Sequence, residues 1–115
     1  MTTYRLSNLN AELHAGDIGT EIIVTVYDVT EVNGALVQAV LNLTGFAVTI
    51  LLCGPSGTVE RATTLVGPEE DGKVKAVTQA GDLVAGPLMI RAKLVRNNGE
   101  TWHTAGVVTQ VWPVC

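Results

Sequence analysis

Apolar and polar residues alternate along much of the chain, which is the period-two pattern of β-strands. The clearest example is Phe46–Val66, where two alternating runs flank the turn tetrapeptide Gly54-Pro55-Ser56-Gly57. The first run is apolar on both faces, whereas the second carries Glu60 and Arg61. The segment therefore predicts a hairpin that joins a central strand to a more exposed one.

Similar alternation predicts strands at Glu21–Val29, with Ile22, Val24 and Val26 inward, and at 73–78. Residues 1–11 alternate weakly and predict an extended arm or an edge strand. In Thr30–Gly45, Leu36, Val40 and Leu43 have helical spacing, which would suit a short helix. Because Asn33-Gly34 and Thr44-Gly45 bracket that stretch closely, we instead predict a turn and an irregular strand that crosses between two sheets.

About seven or eight short strands separated by turn signals are typical of a β-sandwich. We therefore predict an all-β fold in which residues 1–115 form a single Ig-like antiparallel β-sandwich. An Ig-type disulfide is not expected, since Cys53 falls inside a strand and Cys115 is the last residue. A buried free thiol and a loose tail suit these two positions.

The dipeptide Asn98-Gly99 predicts a two-residue type I′ hairpin turn, which would pair Asn97 with Glu100. That register turns Trp102 outward beside an aliphatic neighbour, as at many protein interfaces. Two alternatives remain open: Trp102 caps the sandwich under a loop, or a bulge at Ala105-Gly106 reverses the faces. Together with outward residues of the strand at 21–29, the candidate protein-contact surface comprises Trp102, Val95, Met89, Val108, Ile23 and Tyr27.

Charged residues make up only 16% of the chain and hydrophobic residues 47%, which favours a subunit partly covered by its neighbours. The net charge of −4 and the scattered basic residues argue against nucleic-acid binding. The N-terminus lacks the apolar core of a signal peptide, and the apolar stretches are too short to span a bilayer. We therefore expect a soluble protein that is made in a cytoplasm, with no membrane partner.

No pattern of catalytic, cofactor-binding or metal-ligating residues emerges. His14, His103 and Cys53 lack the spacing of a metal site, and no serine has a G-x-S-x-G setting. The acidic run Glu69-Glu70-Asp71 lacks the alternating ligands of a calcium loop, so a solvated turn is expected. The sequence thus predicts a protein that is not an enzyme and that has no cofactor or metal.

Turn motifs follow one another in a definite order from about residue 12 onward. They are Gly16-Asp17-Ile18-Gly19-Thr20, Asn33-Gly34, Leu43-Thr44-Gly45, Pro55-Ser56-Gly57, Asp71-Gly72, Gly81-Asp82-Leu83, Ala85-Gly86-Pro87, and the Asn98-Gly99 hairpin with Trp102. This order resembles that of the small Ig-like β-sandwich domain at the N-terminus of tailed-phage upper baseplate proteins. The chain departs from that pattern at Gly86-Pro87, where the family has a Pro-Gly corner.

The resemblance implies a non-enzymatic structural protein of a tailed-phage virion, a tail or baseplate component that is made in the host cytoplasm. Its expected partners are other virion structural proteins and copies of itself, as a trimer or a hexamer. One alternative is a capsid-surface decoration protein. A carbohydrate-binding adhesion module is a weaker alternative, since it needs aromatic platforms and the five aromatic residues are spread along the chain.

Overall fold

A computed structural model describes residues 3–7, 12–55 and 57–113. Within the stretch 1–11, for which an extended arm or an edge strand was predicted, the described residues include the strand Thr3–Leu6. Residues 1–2 and 8–11 and the tail at Cys115 lie outside the described residues. The strands are β1 (Thr3–Leu6), β2 (Leu13–His14), β3 (Glu21–Val32), β4 (Ala35–Val40), β5 (Phe46–Gly54), β6 (Gly57–Ala62), β7 (Thr64–Leu65), β8 (Lys73–Val77), β9 (Gly86–Arg96), β10 (Thr101–His103) and β11 (Val107–Trp112). A single turn of 3-10 helix, Glu69–Asp71, precedes β8.

The strands form two sheets, which confirms the predicted all-β class. The first sheet has the order β1-β3-β8-β7, with β4 also paired to β3. The second has the order β2-β11-β9-β5-β6, with β10 also paired to β9. One of the two curls into a half-barrel. The predicted pairing was antiparallel throughout, but β2 pairs with β11 in parallel.

The strand count in the described residues exceeds the predicted seven or eight because several long runs are interrupted. One example is the hairpin around Pro55, where β6 ends at Ala62 and the two-residue β7 joins the other sheet. β5 nevertheless lies between β9 and β6, as expected for a central strand. Its partner β6 is the more exposed strand, so the predicted hairpin is confirmed.

The core lies between the two sheets. Ile22, Val24 and Val26 of β3 are at most 1% exposed, which confirms the predicted inward set. From the second sheet, inward side chains pack against them. These are Ile50, Leu52, Leu88, Ile90, Ala92, Leu94 and Val111. Within the described ranges, no helix is long and apolar enough to cross a membrane.

The stretch Thr30–Gly45 differs from its prediction. It is neither a helix nor a strand that crosses between sheets, because β4 pairs antiparallel with β3 in the same sheet. Asn33 and Gly34 both have positive φ, 51° and 79°, as a type I′ turn requires. This tight turn sends the chain straight back along β3, and the chain leaves the sheet only after Val40.

The terminal hairpin also differs from its prediction. Arg96 N–H donates to the Glu100 carbonyl at 2.8 Å and Gly99 N–H to the Arg96 carbonyl at 2.9 Å, so the loop has three residues. Among the non-glycine residues described, only Asn33 has a positive φ, so Asn98 cannot form a type I′ turn. Gly99 alone, with φ of 88°, takes the left-handed position. The register shifts by one residue, and Trp102 pairs with buried Leu94 instead of Val95.

Candidate protein-contact site

Trp102 closes one end of the core instead of facing outward, which corrects its predicted orientation. It is half-buried, and its ring packs on Tyr4 at 5.9 Å between centroids and on Phe46 at 6.1 Å. The Arg96 guanidinium lies 5.3 Å from the Phe46 ring centroid and 5.7 Å from that of Trp102. Cation–π and edge-to-face contacts of this kind stabilise the cluster from within the chain.

The phenol of Tyr4 belongs to this cluster. Burial raises the pKa of Tyr4, and the Asp28 carboxylate across the strand pair raises it further. The phenol therefore stays neutral at physiological pH. Asp28 Oδ1 is buried and has no hydrogen-bond partner within the described part of the chain.

A bulge at Thr104 restores the predicted strand register after Trp102. The residues between β10 and β11 form a bulge, after which Val107 pairs with Ile90 and Val108 with Met89, as predicted. At the bulge the fully buried Thr104 hydroxyl accepts the Ala92 N–H at 2.9 Å, while Thr104 N–H donates to the Ala92 carbonyl. The Thr104 hydroxyl thus takes the place of a backbone carbonyl that the bulge removes from the ladder.

We expect Thr104→Val to lower the free energy of unfolding by about 1–2 kcal/mol, because it leaves the buried Ala92 N–H without an acceptor. Thr109→Val, on the half-buried strand β11, is the matched control and should change stability by less than about 0.5 kcal/mol. Urea denaturation of both variants measures the difference. Equal losses would show that the hydroxyl does not support the bulge.

The other predicted contact residues of the terminal hairpin are separated along the outer face of the second sheet. Met89 and Val108 pair with each other and are 40% and 68% exposed. Val95 is half-buried and faces Thr101. Because residues of one face alternate along a strand, Arg91 and Lys93 lie between Met89 and Val95. This face therefore carries two apolar positions interrupted by charge.

Ile23 and Tyr27 are half-buried on β3, on the face of the first sheet that points away from the core. The outer faces of two packed sheets point in opposite directions. The predicted residues thus do not form one continuous surface with Met89 and Val108. Their participation in a protein contact remains a prediction.

The structure places a larger apolar surface where the sequence did not predict one. All residues from 31 to 40, which we call the arm, are exposed. Val32 is 50%, Leu36 74%, Val37 46% and Val40 45% exposed. By the pairing of β4 with β3, Leu36 and Val40 share one face and Val32 and Val37 the other. Both faces of the arm are therefore apolar and uncovered.

Strand β4 of the arm also has an open edge, because β3 is its only partner among the described strands. Proteins usually protect such edges with lysine, proline or a bulge. β4 reads Ala-Leu-Val-Gln-Ala-Val and pairs with β3 in unbroken register, so none of these devices is present. The signal available in the sequence was Asn33-Gly34 followed by an apolar run without charge, and competing helical spacing obscured it.

Away from the arm, the charged groups of Arg61 and Asp82 pair with each other. Arg61 donates from Nε and Nη2 to the two carboxylate oxygens of Asp82, at 2.7 and 2.6 Å. Asp82 also accepts the Gln79 N–H at 2.8 Å and is 7% exposed. Among the residues that the structure describes, no three His, Cys, Asp or Glu side chains are grouped so that they could hold a metal ion. Thus the apolar arm is the candidate functional site.

The molecule is elongated, with principal extents of 50 × 29 × 24 Å. Comparison with known proteins adds no assignment, since neither any protein-family model nor any curated protein matches the chain.

Proposed function

We propose that this protein is a non-enzymatic structural subunit that assembles through protein–protein contacts. The observation that carries the proposal is the arm, an uncovered two-stranded projection with apolar side chains on both faces. Monomeric proteins rarely expose contiguous apolar surfaces of this kind, and larger patches usually mark interaction sites.

The energetics favour coverage of the arm. Fully burying a Val or Leu side chain stabilises by about 1.5–3 kcal/mol relative to leaving it in water. Leu36 retains 74% of its exposure and three valines retain about half, so each could contribute on the order of 1 kcal/mol on burial. A two-stranded hairpin is only marginally stable without packing, which also favours a covered state.

The setting that we propose is a tailed-phage virion, with the protein as a tail or baseplate component of Ig-like type. This part of the proposal rests on the order of turn motifs from Gly16 to Gly99. Partners are then copies of the same chain and neighbouring virion proteins. Decoration of a capsid surface is the alternative setting, since it would use the same apolar arm against a shell protein.

An adhesion module remains the weaker alternative. Three of the five aromatic residues do meet in space, namely Tyr4, Phe46 and Trp102. Their rings pack on one another and under Arg96, which leaves them less available to stack on a sugar. Trp112, which is 51% exposed, is the aromatic residue that an adhesion test should target.

We expect the wild-type protein to form an oligomer in size-exclusion chromatography with light scattering, and a Leu36→Asp/Val37→Asp variant to be monomeric. The association constant should fall by about 100-fold or more, because the charges would have to be buried on both faces of the arm. Folding should be retained, since both side chains are exposed in the single chain.

Ile18→Asp is the matched control, because Ile18 is an apolar residue that is 69% exposed and lies outside both the arm and the predicted contact surface. It should leave the oligomer intact. A wild-type protein that stays monomeric at high concentration and binds glycans through Trp112 would overturn the structural role.

A further inference from the structure

We propose that β4 pairs antiparallel with β4 of a second copy about a two-fold axis, so that the two arms form one continuous four-stranded sheet. The inference rests on the proposed function and names both the partner and the contact. The occupant of the open edge is thus a second copy of this chain.

The backbone of β4 is oriented for this pairing. Leu41 N–H donates to the Val26 carbonyl at 2.9 Å, and the same register pairs Ala39 with Asp28 and Val37 with Thr30. In an antiparallel ladder, alternate residues exchange hydrogen bonds with the partner strand. The intervening residues Leu36, Gln38 and Val40 therefore direct their N–H and C=O groups away from β3, toward the open edge.

Side-chain matching selects one register. When Gln38 lies opposite Gln38 of the second copy, Leu36 lies opposite the second copy's Val40, and Val37 opposite its Ala39. Apolar side chains then meet apolar side chains across the axis, and the two Gln amides can bond to each other. A shift by two residues would place Leu36 opposite Gln38, which leaves an amide against a leucine.

The other end strands of the two sheets carry charge or are short. β6, the edge strand of the second sheet, carries Glu60 and Arg61. β7, the edge of the first sheet, is only two residues long. Both are ordinary ways to prevent edge-to-edge pairing. The end strands β1 and β2 have only four and two residues. The six uncharged residues of β11 lie between β9 and β2. Of the described end strands, β4 combines six residues with an uncharged apolar sequence, so its edge suits a partner strand.

The uncovered area of the arm sets an upper limit on the area of the contact. An extended chain exposes about 1.45 Å² per dalton, so the roughly 1,000 Da of residues 31–40 would expose about 1,400 Å² before folding. The four large side chains of the arm retain 45–74% exposure, so about half of that area, roughly 700 Å², is still uncovered. Two arms together offer up to about 1,400 Å², of which edge pairing buries the part along the two β4 strands and leaves the faces uncovered, so the backbone hydrogen bonds of the new ladder supply much of the contact.

Charge does not oppose the pairing. Glu31 is the only ionisable side chain in the arm, and it lies on β3, opposite Leu36. In the four-stranded sheet the two Glu31 side chains would lie on the outer strands, with both β4 strands between them. Repulsion between them is then weak, because they are separated by several strand spacings of about 4.8 Å.

Gln38→Pro tests the edge directly. Proline removes an N–H that has no partner within the described residues, so the folded single chain should tolerate it, whereas strand addition should be blocked. Light scattering should show loss of the two-fold contact, with at least a 100-fold weaker association constant. Because every apolar side chain of the arm is retained, this variant distinguishes edge pairing from non-specific hydrophobic association.

Gln38→Cys, with Cys53 and Cys115 replaced by Ala, tests the register. Directly opposed residues that exchange hydrogen bonds have Cα atoms about 5.5 Å apart, within disulfide range. Oxidation should give a cross-linked dimer in high yield. The matched control is Thr58→Cys in the same background, on the exposed edge strand β6, and it should not cross-link.

The outcomes distinguish the two proposals. A two-fold pair allows a dimer or a hexamer of three pairs but not a trimer, so a trimeric wild type would overturn edge pairing. If Gln38→Pro keeps the oligomer while Leu36→Asp/Val37→Asp dissociates it, edge pairing is wrong and the structural role stands. If neither variant alters the oligomer, both the edge and the arm are excluded as its contact.

Discussion

Gly72→Ala is expected to lower the free energy of unfolding by about 2–5 kcal/mol. Gly72 has a φ of 62°, and a Cβ there would lie 2.7 Å from the Leu41 carbonyl oxygen and 3.0 Å from that of Val26. The left-handed conformation costs a non-glycine residue about 1–2 kcal/mol, and overpacking adds about 1–3 kcal/mol. Since two of the opposing atoms belong to the backbone, neither can rotate away.

The position of Gly72 gives this substitution a second effect. Its carbonyl accepts the Val26 N–H at 2.8 Å. Val26 lies where the strand paired with β3 changes from β8 to β4. Displacement of this residue should therefore disturb the base of the arm. Oligomerisation should weaken together with stability.

Gly99→Ala is the matched control. Gly99 has a φ of 88°, but no heavy atom outside its immediate neighbours lies within 4 Å of a Cβ built there. Gly99→Ala should lower the free energy of unfolding only by the conformational cost of about 1–2 kcal/mol. Urea denaturation of the two variants measures the difference, and equal losses would show that the crowding at Gly72 is relieved by a small backbone shift.

Asp82→Ala should lower the free energy of unfolding by about 2–4 kcal/mol. Asp82 accepts two hydrogen bonds from Arg61 and one from Gln79 N–H, and its side chain is 2% exposed. Removal of one partner of a buried, hydrogen-bonded ion pair leaves the remaining groups unpaired. The contact also joins β6 of the second sheet to the loop after β8 of the first.

The same carboxylate gives stability a pH dependence. Its hydrogen bonds with Arg61, and then the Gln79 N–H, lower the pKa of Asp82 below its usual value. A depressed folded-state pKa contributes stability that is present above the unfolded pKa of about 4. That contribution is lost as the pH falls through the folded pKa.

Asp82→Asn should therefore flatten the decline of stability below about pH 4 and reduce stability at neutral pH. Glu60→Gln is its control, because the Glu60–Lys93 pair is exposed and should contribute at most about 1 kcal/mol. Thermal unfolding from pH 2 to 7 makes the comparison. A variant that retains the wild-type acid profile would assign the decline to other carboxylates.

The sequence predicted the parts of the fold that depend on local pattern. Alternation at Glu21–Val29 identified the inward Ile22, Val24 and Val26, and the flanked turn at Pro55 identified the hairpin of β5 and β6. Both follow from side chains that alternate between two faces, one of which must be buried.

The candidate site could not be predicted in the same way. At the terminal hairpin, one extra loop residue turned Trp102 inward, and the Thr104 bulge then restored the outward pairing of Met89 with Val108. Either change reverses the face of every residue that follows it, because the strand period is two. Alternation alone does not reveal a shift of one residue.

What the sequence by itself determined is the all-β class, the core strands and most turn positions, since these follow from residue type and short-range spacing. Only the tertiary structure decided which apolar residues would be covered. Tyr4, Phe46 and Trp102 are far apart in the chain and yet cover one another, whereas Leu36 and Val37 are apolar and left in water. Burial depends on what packs against a strand from elsewhere, and no local pattern contains that information.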